Sequence, residues 1–449
     1  MLTKAEHADA PSPALARALV RSLTRGTTIA AGVRYTHVGH RNWLAAQQEL
    51  LTEIAEDGHA DTKFVRGAYG AGKSHFLAMV QDLAQVQGWA TSHVECKADG
   101  VQIDRFETLY PQIVAKIKAA DMIAADQDTT VDPARWLLER WTREEAKRAR
   151  IPEEGLTRPF DADARLYAHL EPRLLRSSLP PDFIKATAAF ARAYLDKNSE
   201  VMTAVSGWIS GTKESISIPG RYLRPPSGLA RDGKPVNLRA IGKGTARDAM
   251  RGILWLIKAA GYKGLVLCID EIEELAKLGS KKRQDQALQA LREYVDHAGG
   301  EGGYRNLCLY LAATPEMFEG EDYFPRYDAL ATRIQAVGAE VNWRGPVIDL
   351  DRTPLDRAQM REMALRICDV HQAAYGETKS VQNLPKDVIS QFVDKVNESR
   401  FRIAKPRLLA RVVVDALERA RQDKSLKNVS DASHLVTAAA SSIAKELNA

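Results

Sequence analysis

Eight residues, Gly67-Ala68-Tyr69-Gly70-Ala71-Gly72-Lys73-Ser74, fit the pattern G-x-x-x-x-G-K-[ST]. Such a run binds phosphate when a strand precedes it and a helix follows. Its glycines let the backbone wrap with N–H groups turned inward, and the helix that opens at its end aims its positive pole at the same point. Lys73 is then expected to reach the β- and γ-phosphates of a nucleotide, and the Ser74 hydroxyl to sit on Mg²⁺. Two carboxylates, Asp270 and Glu271, follow the apolar run Leu265-Val266-Leu267-Cys268-Ile269. A buried strand of that kind delivers both at its carboxyl end, where ligands of parallel sheets bind. Asp270 is expected to hold Mg²⁺ through water, and Glu271 to polarise the attacking water as general base, because phosphoryl transfer needs an oriented nucleophile. The pair also suits a plain acidic helix start, with Glu273 and Glu274 directly after it.

Four further side chains are candidates by position. Thr314 ends the apolar run Leu309-Tyr310-Leu311-Ala312-Ala313, where its hydroxyl could orient water beside the γ-phosphate or cap a helix before Pro315. Arg326 and Arg333 follow, and either could reach the nucleotide of a neighbouring subunit and stabilise transition-state charge; Arg333 is the preferred one. Arg407 opens a helix whose apolar stripe is Leu408, Leu409, Val412, Val413 and Leu417, so it could touch the γ-phosphate from a lid or be an ordinary exposed arginine.

The elements that must position these groups are legible in the hydrophobic periodicity. Helical spacing runs from Pro13 to Leu23 and from Trp43 to Ile54; strand signals cover Thr62 to Arg66 and Ala90 to Cys96, with helices over Phe76 to Val86 and Leu109 to Ala119. Alternation of strand and helix predicts a parallel sheet with helices on both faces. The runs 265–269 and 307–313 are continuously apolar, as central strands with both faces covered are. Between them and the first strands lies a stretch of helical patterns only, about 133–200, which reads as a helical insertion. Past Asp349 four helices remain, predicting a C-terminal helical lid. The expected division is an N-terminal helical segment 1–35, a nucleotide-binding domain 36–345 and the lid domain 346–449.

Length and charge bound the rest. A chain of 449 residues exceeds one ordinary hydrophobic core. With 45% hydrophobic and 27% charged residues it is an average folded chain, neither collagen-like nor disordered. A net charge of +5 excludes a generally cationic coat. The segment 211–247 stands out, with eight basic and two acidic residues among Gly- and Pro-rich sequence. Its Arg221, Arg224, Arg231, Lys234, Arg239 and Lys243 could contact a nucleic-acid backbone, although Tyr222 is the only stacking ring there. Cys96, Cys268, Cys308 and Cys368 are scattered singly, without the close pairs of zinc sites, and read as buried small hydrophobes. With no signal peptide and no membrane-length apolar run, a cytoplasmic location without membrane contact is expected.

In these motifs the chain resembles the AAA+ ATPases, within them the origin-recognition and STAND-like branch, over roughly residues 36 to 449. Val38-Gly39-His40-Arg41 looks like the box that precedes the phosphate-loop strand in that branch, which would put Arg41 near the adenine. More narrowly, Arg66 to His75, Gly261-Tyr262-Lys263-Gly264-Leu265 before Asp270-Glu271-Ile272-Glu273, and Tyr327 to Arg333 look like the ATP-binding proteins of bacterial BREX phage-defence systems. The resemblance implies bacteriophage resistance, with His75 beside the phosphate loop. The first reading is an AAA+ protein that hydrolyses Mg-ATP, assembles through Arg333 into a homo-oligomer with nucleotide at subunit interfaces, and works with other defence-system proteins on or beside DNA. Alternatives are a nucleotide-gated scaffold of little turnover that recruits a nuclease or methyltransferase, and a loader of a ring-shaped DNA enzyme. No segment reads as the winged helix of origin-recognition proteins, which disfavours replication initiation.

If segment 211–247 is the main nucleic-acid contact, each phosphate that is no longer neutralised should lower the salt slope by roughly 0.9 on duplex DNA. Removing the charges of Arg221, Arg224 and Arg231 together should then flatten log K against log[salt] by up to about 3. Fluorescence anisotropy across a salt series measures this; an unchanged slope would assign the segment to protein recruitment.

Overall fold

The structure, a computed structural model, describes residues 10–26, 32–97, 103–125, 132–151, 161–212, 215–223, 234–299, 303–335, 340–376, 386–398, 405–422 and 429–447. The strands are β1 Ala60–Arg66, β2 Ala90–Glu95, β3 Ile216–Ile218, β4 Val236–Leu238, β5 Leu265–Asp270, β6 Leu307–Ala313 and β7 Val347–Asp349. Five form a sheet in the order β2-β5-β6-β1-β7, in which β2 runs parallel to β5 and β1 parallel to β7. The expected α/β fold with a parallel sheet is therefore present. β5 and β6 are buried along their whole lengths, which explains why both read as unbroken apolar runs. β3 and β4 make a separate antiparallel pair inside the basic segment, with Ile216 opposite Leu238.

The chain packs into two compact units. The first comprises Met1–Leu50, Lys63–Leu83 and Leu311–Ala449. Its helices are α1 Pro13–Arg25, α2 Arg41–Asp57 and α3 Lys73–Val86 (the last two run past the unit's edges), with the C-terminal helices described below. Ser12 caps α1 by accepting from the Leu15 N–H, Pro13 opens it, and Gly26 closes it in the left-handed conformation at φ 68. Its buried face of Ala16, Leu19 and Val20 shares one core with the C-terminal helices. The chain's first helix is thus built into the core of the C-terminal helices.

The second unit comprises Leu51–Thr62 and Ala84–Tyr310. It carries α4 Phe106–Ala115, α5 Ala120–Ala125, α6 Pro133–Arg148, α7 Ala162–Leu175, α8 Pro181–Leu195, α9 Ser199–Ile209, α10 Ala246–Ala259 and α11 Lys281–Gly299. The insertion is helical as expected, and α9 extends it. α4 ends at Ala115, short of the expected Ala119, because Lys118 turns to pair with Thr91 through two 2.8 Å backbone bonds. α11 lies outside the expected elements, yet Ala287, Leu288, Leu291, Tyr294 and Val295 give it a buried face at helical spacing. The short elements of the first unit, α12 Pro315–Glu319 and α13 Asp328–Ile334, follow β6. α14 Arg357–Tyr375, α15 Lys386–Glu398, α16 Lys405–Arg421 and α17 Val429–Leu447 are the four predicted C-terminal helices. α14 starts on a capping box in which Asp356 accepts from the Gln359 N–H while the Gln359 side chain reaches back.

All four cysteines are buried, and none is in a disulfide. Among the described residues no helix is long and apolar enough to cross a membrane.

β5 begins where Gly264 passes close to its neighbour in the sheet. A Cβ at Gly264 would stand 2.2 Å from the Asn306 carbonyl oxygen and 2.5 Å from the Trp89 ring. Both obstacles are fixed, one by backbone and one by a fully buried indole. Gly264→Ala should therefore cost about 1–3 kcal/mol of stability, the usual range for overpacking. Urea unfolding reads this directly, and an unchanged midpoint would mean that β5 can shift to make room.

Candidate phosphate-binding site

Arg66 ends β1 and Lys73 begins α3, so the motif is a loop of six residues between a buried strand and a helix N-terminus. Gly70 and Gly72 have φ of 77 and 103, which side chains other than glycine rarely adopt. Gly67 is required for space instead: a Cβ there would lie 3.2 Å from Ala71 Cβ and 3.3 Å from Lys73 Cγ. The Ala71 N–H bonds the Ala68 carbonyl at 3.0 Å and the Phe76 N–H bonds the Gly72 carbonyl at 2.8 Å, joining the loop to the first turn of α3. Lys73 is only 7% exposed. Its ammonium donates to the Gly67 carbonyl at 2.9 Å and lies 5.3 Å from the Tyr69 ring, which is itself exposed. Ser74 and His75 follow in the first turn and are half-buried. Backbone amides, an ammonium and a helix N-terminus on one short loop are the parts of a polyphosphate site.

The far end of β6 adds a hydroxyl. The Gly67 N–H bonds the carbonyl of Ala313 at 3.4 Å, bringing Thr314 alongside the loop's start. Thr314 occupies the cap position of α12, but its side chain makes no cap bond. Its Oγ1 is buried and has no partner among the described residues. A buried hydroxyl is normally hydrogen-bonded, and here the cap bond is not what satisfies it.

At the end of β5, Asp270 is 2% exposed and accepts from the Glu271 N–H at 2.9 Å. His93 of β2, a diagonal neighbour on the sheet, places Nε2 3.6 Å from the Asp270 carboxylate. Glu271 sits in the left-handed region at φ 56, a strained conformation of the kind that collects at functional sites. Burial, followed by the charges of Asp270, Glu95, Glu273 and Glu274, pushes its carboxyl above the usual range, toward what a general base needs. Ser74 in the first unit and Asp270 in the second each carry a hard oxygen donor of the kind Mg²⁺ takes.

The first unit also assembles three histidines that periodicity does not reveal as a group. The Gly39 carbonyl can only accept, so His37 Nε2 donates to it at 3.1 Å, leaving His37 Nδ1 to accept from His75 Nε2 at 3.0 Å. The His37 and His75 rings stack at 5.2 Å, and His40 meets Phe76 edge-on at 6.1 Å. Burial lowers all three pKa values, those of His40 and His75 to about 4 and that of His37 well below its ordinary value. The loop end at Arg66 carries a second group: Arg66 pairs with Glu319 and, at 3.3 Å, with Asp349. Asp351 accepts from the Ala68 N–H at 3.0 Å.

The other sequence candidates are dispersed. Arg41 is the exposed first residue of α2. Arg326 lies exposed in the short helical turn Phe324–Arg326, and Arg333 lies half-buried in α13. Arg407, in the first turn of α16, packs its guanidinium against Gly26, where a cation complements the carbonyl end of α1. In the basic segment Arg221 covers the Tyr222 ring at 4.9 Å; Lys234, Arg239 and Lys243 flank β4. Arg224 and Arg231 lie outside the described residues.

A family model described as BREX system ATP-binding protein BrxC/D matches residues 12–434. No curated protein matches the chain.

Because the folded histidine pKa values lie below the unfolded 6.5, the unfolded chain binds protons first as pH falls. Stability should be full above about pH 6.5 and decline toward pH 4. His40→Asn keeps a residue tolerant of the φ of 52 found there and removes one titrating ring. Its stability-against-pH slope across that window should be shallower by up to about 1.4 kcal/mol per pH unit, the value of one proton. Urea unfolding at several pH values checks this, an unaltered slope counting against a neutral buried His40.

Proposed function

Since the chain belongs to the BREX system ATP-binding protein BrxC/D family, we propose that it is an ATPase of phage defence that turns over Mg-ATP at the Gly67–Ser74 loop. The observation that carries this is Lys73: a buried ammonium inside a glycine loop, on a helix N-terminus, at the end of a central strand. The loop amides and Lys73 bind and orient the triphosphate. Thr314, with its unmet buried hydroxyl, holds the attacking water, and Glu271, its carboxyl already raised, takes that water's proton. Ser74 and Asp270 would hold Mg²⁺, which when bound neutralises charge developing on the phosphates. Arg333 reaches a neighbouring subunit's nucleotide in a homo-oligomer, and Arg407 moves with the lid. DNA contact runs through the basic segment, and other defence-system proteins are its partners.

Lys73→Ala should lower affinity for a fluorescent ATP analogue by two orders of magnitude or so, since it deletes the charge that meets the β- and γ-phosphates. Glu271→Gln should bind like wild type and lose hydrolysis. Equilibrium titration and a phosphate-release assay separate the two defects. A Lys73→Ala protein that binds normally would end the loop assignment. Negligible wild-type turnover, with complexes that form only with ATP, would favour a nucleotide-gated scaffold.

A further inference from the structure

The loop's second residue is tied to a side chain far along the sequence. The Ala68 N–H is shared between both carboxylate oxygens of Asp351, at 3.0 and 3.3 Å. Asp351 is itself held: its own N–H bonds Asp349 Oδ1 at 3.1 Å, and Asp349 pairs with Arg66, its register partner across β1 and β7. Asp351 belongs to the short helical turn Leu350–Arg352, and the next residue, Thr353, accepts from the Trp43 indole at 3.1 Å. Three residues later Asp356 caps α14, the first helix of the lid core.

We propose that Asp351 is a positioning residue of the phosphate loop, fixing its entry limb through Ala68 and transmitting its occupancy to the start of α14. This rests on the loop being the ATP site. The exit limb is held by the first turn of α3, whereas the entry limb depends on the Gly67 bond to Ala313 and the Ala68 bond to Asp351. A loop whose amides already face inward pays less ordering cost when the triphosphate arrives. A carboxylate is otherwise a poor neighbour for a polyphosphate, because like charges repel. Its place here follows from accepting a backbone N–H, not from attracting the ligand. Asp351 and Ala68 are both exposed, so the tether is a modest one.

The test compares Asp351→Ala, which removes the acceptor, with Asp351→Asn, which keeps an oxygen in its place and removes the charge. Asp351→Ala should weaken binding of a fluorescent ATP analogue by about three- to tenfold, and Asp351→Asn should restore most of the loss. Hydrogen exchange across residues 350–360 should slow on saturation with the analogue in wild type and in Asp351→Asn, and stay unchanged in Asp351→Ala at matched occupancy. Lys73→Ala serves as the control for the site itself. If Lys73→Ala loses binding while Asp351→Ala stays within twofold of wild type, this inference fails and the ATP site stands. Tighter binding by both Asp351 variants would also overturn it, making the carboxylate a repulsive brake. Normal binding by Lys73→Ala would remove the site and this inference together.

Discussion

Burying the ammonium of Lys73 is the constraint on which the rest of the site depends. A cation taken out of water is tolerated only where acceptors surround it, and the Gly67 carbonyl at 2.9 Å is one that the loop itself supplies. For that carbonyl to turn inward the chain must reverse between Gly67 and Lys73. The reversal requires positive φ at Gly70 and Gly72 and a missing side chain at Gly67. The strand before and the helix after then have no freedom: β1 must end at Arg66 and α3 must begin at Lys73.

What surrounds the loop follows from the same geometry. Its first N–H reaches Ala313 and its second reaches Asp351, so the ends of β6 and β7 approach the loop from chain positions far removed from it. Thr314 and Asp349 come with them as the adjoining side chains. The histidine group lies beyond the Lys73 end, where His75 follows Ser74 and stacks on His37. Imidazoles kept neutral there add no further cation to the first turn of α3, so its positive charge rests on Lys73 and the helix N-terminus.

The glycine loop follows β1 and the carboxylates follow β5, with β6 between those strands in the sheet order. The helices α6 to α9 occupy the stretch of chain between β2 and β5. That insertion holds a buried carboxylate of its own. The Glu145 carboxylate, 2% exposed, is met by Arg148, His169 and Arg173, as a buried charge must be.

Sequence alone determined the parts of this protein that depend on neighbours in the chain. The glycine loop, the apolar runs of β5 and β6, the α/β class, the helical insertion and the four C-terminal helices are all local patterns. A turn needs its glycines and a buried strand needs its apolar run whatever the rest of the chain does. Tertiary structure decided what depends on residues brought together from afar. The β3–β4 pair and β7 are three residues each, too short for a period to register. His37 and His40 carry no spacing signal toward His75, and nothing in the order of residues links Asp351 to Ala68 across 283 positions. Thr314 was visible as the end of a strand, but only packing shows that its hydroxyl makes no cap bond. Side-chain partners across a sheet are set by strand order and register, and neither is written in the local sequence.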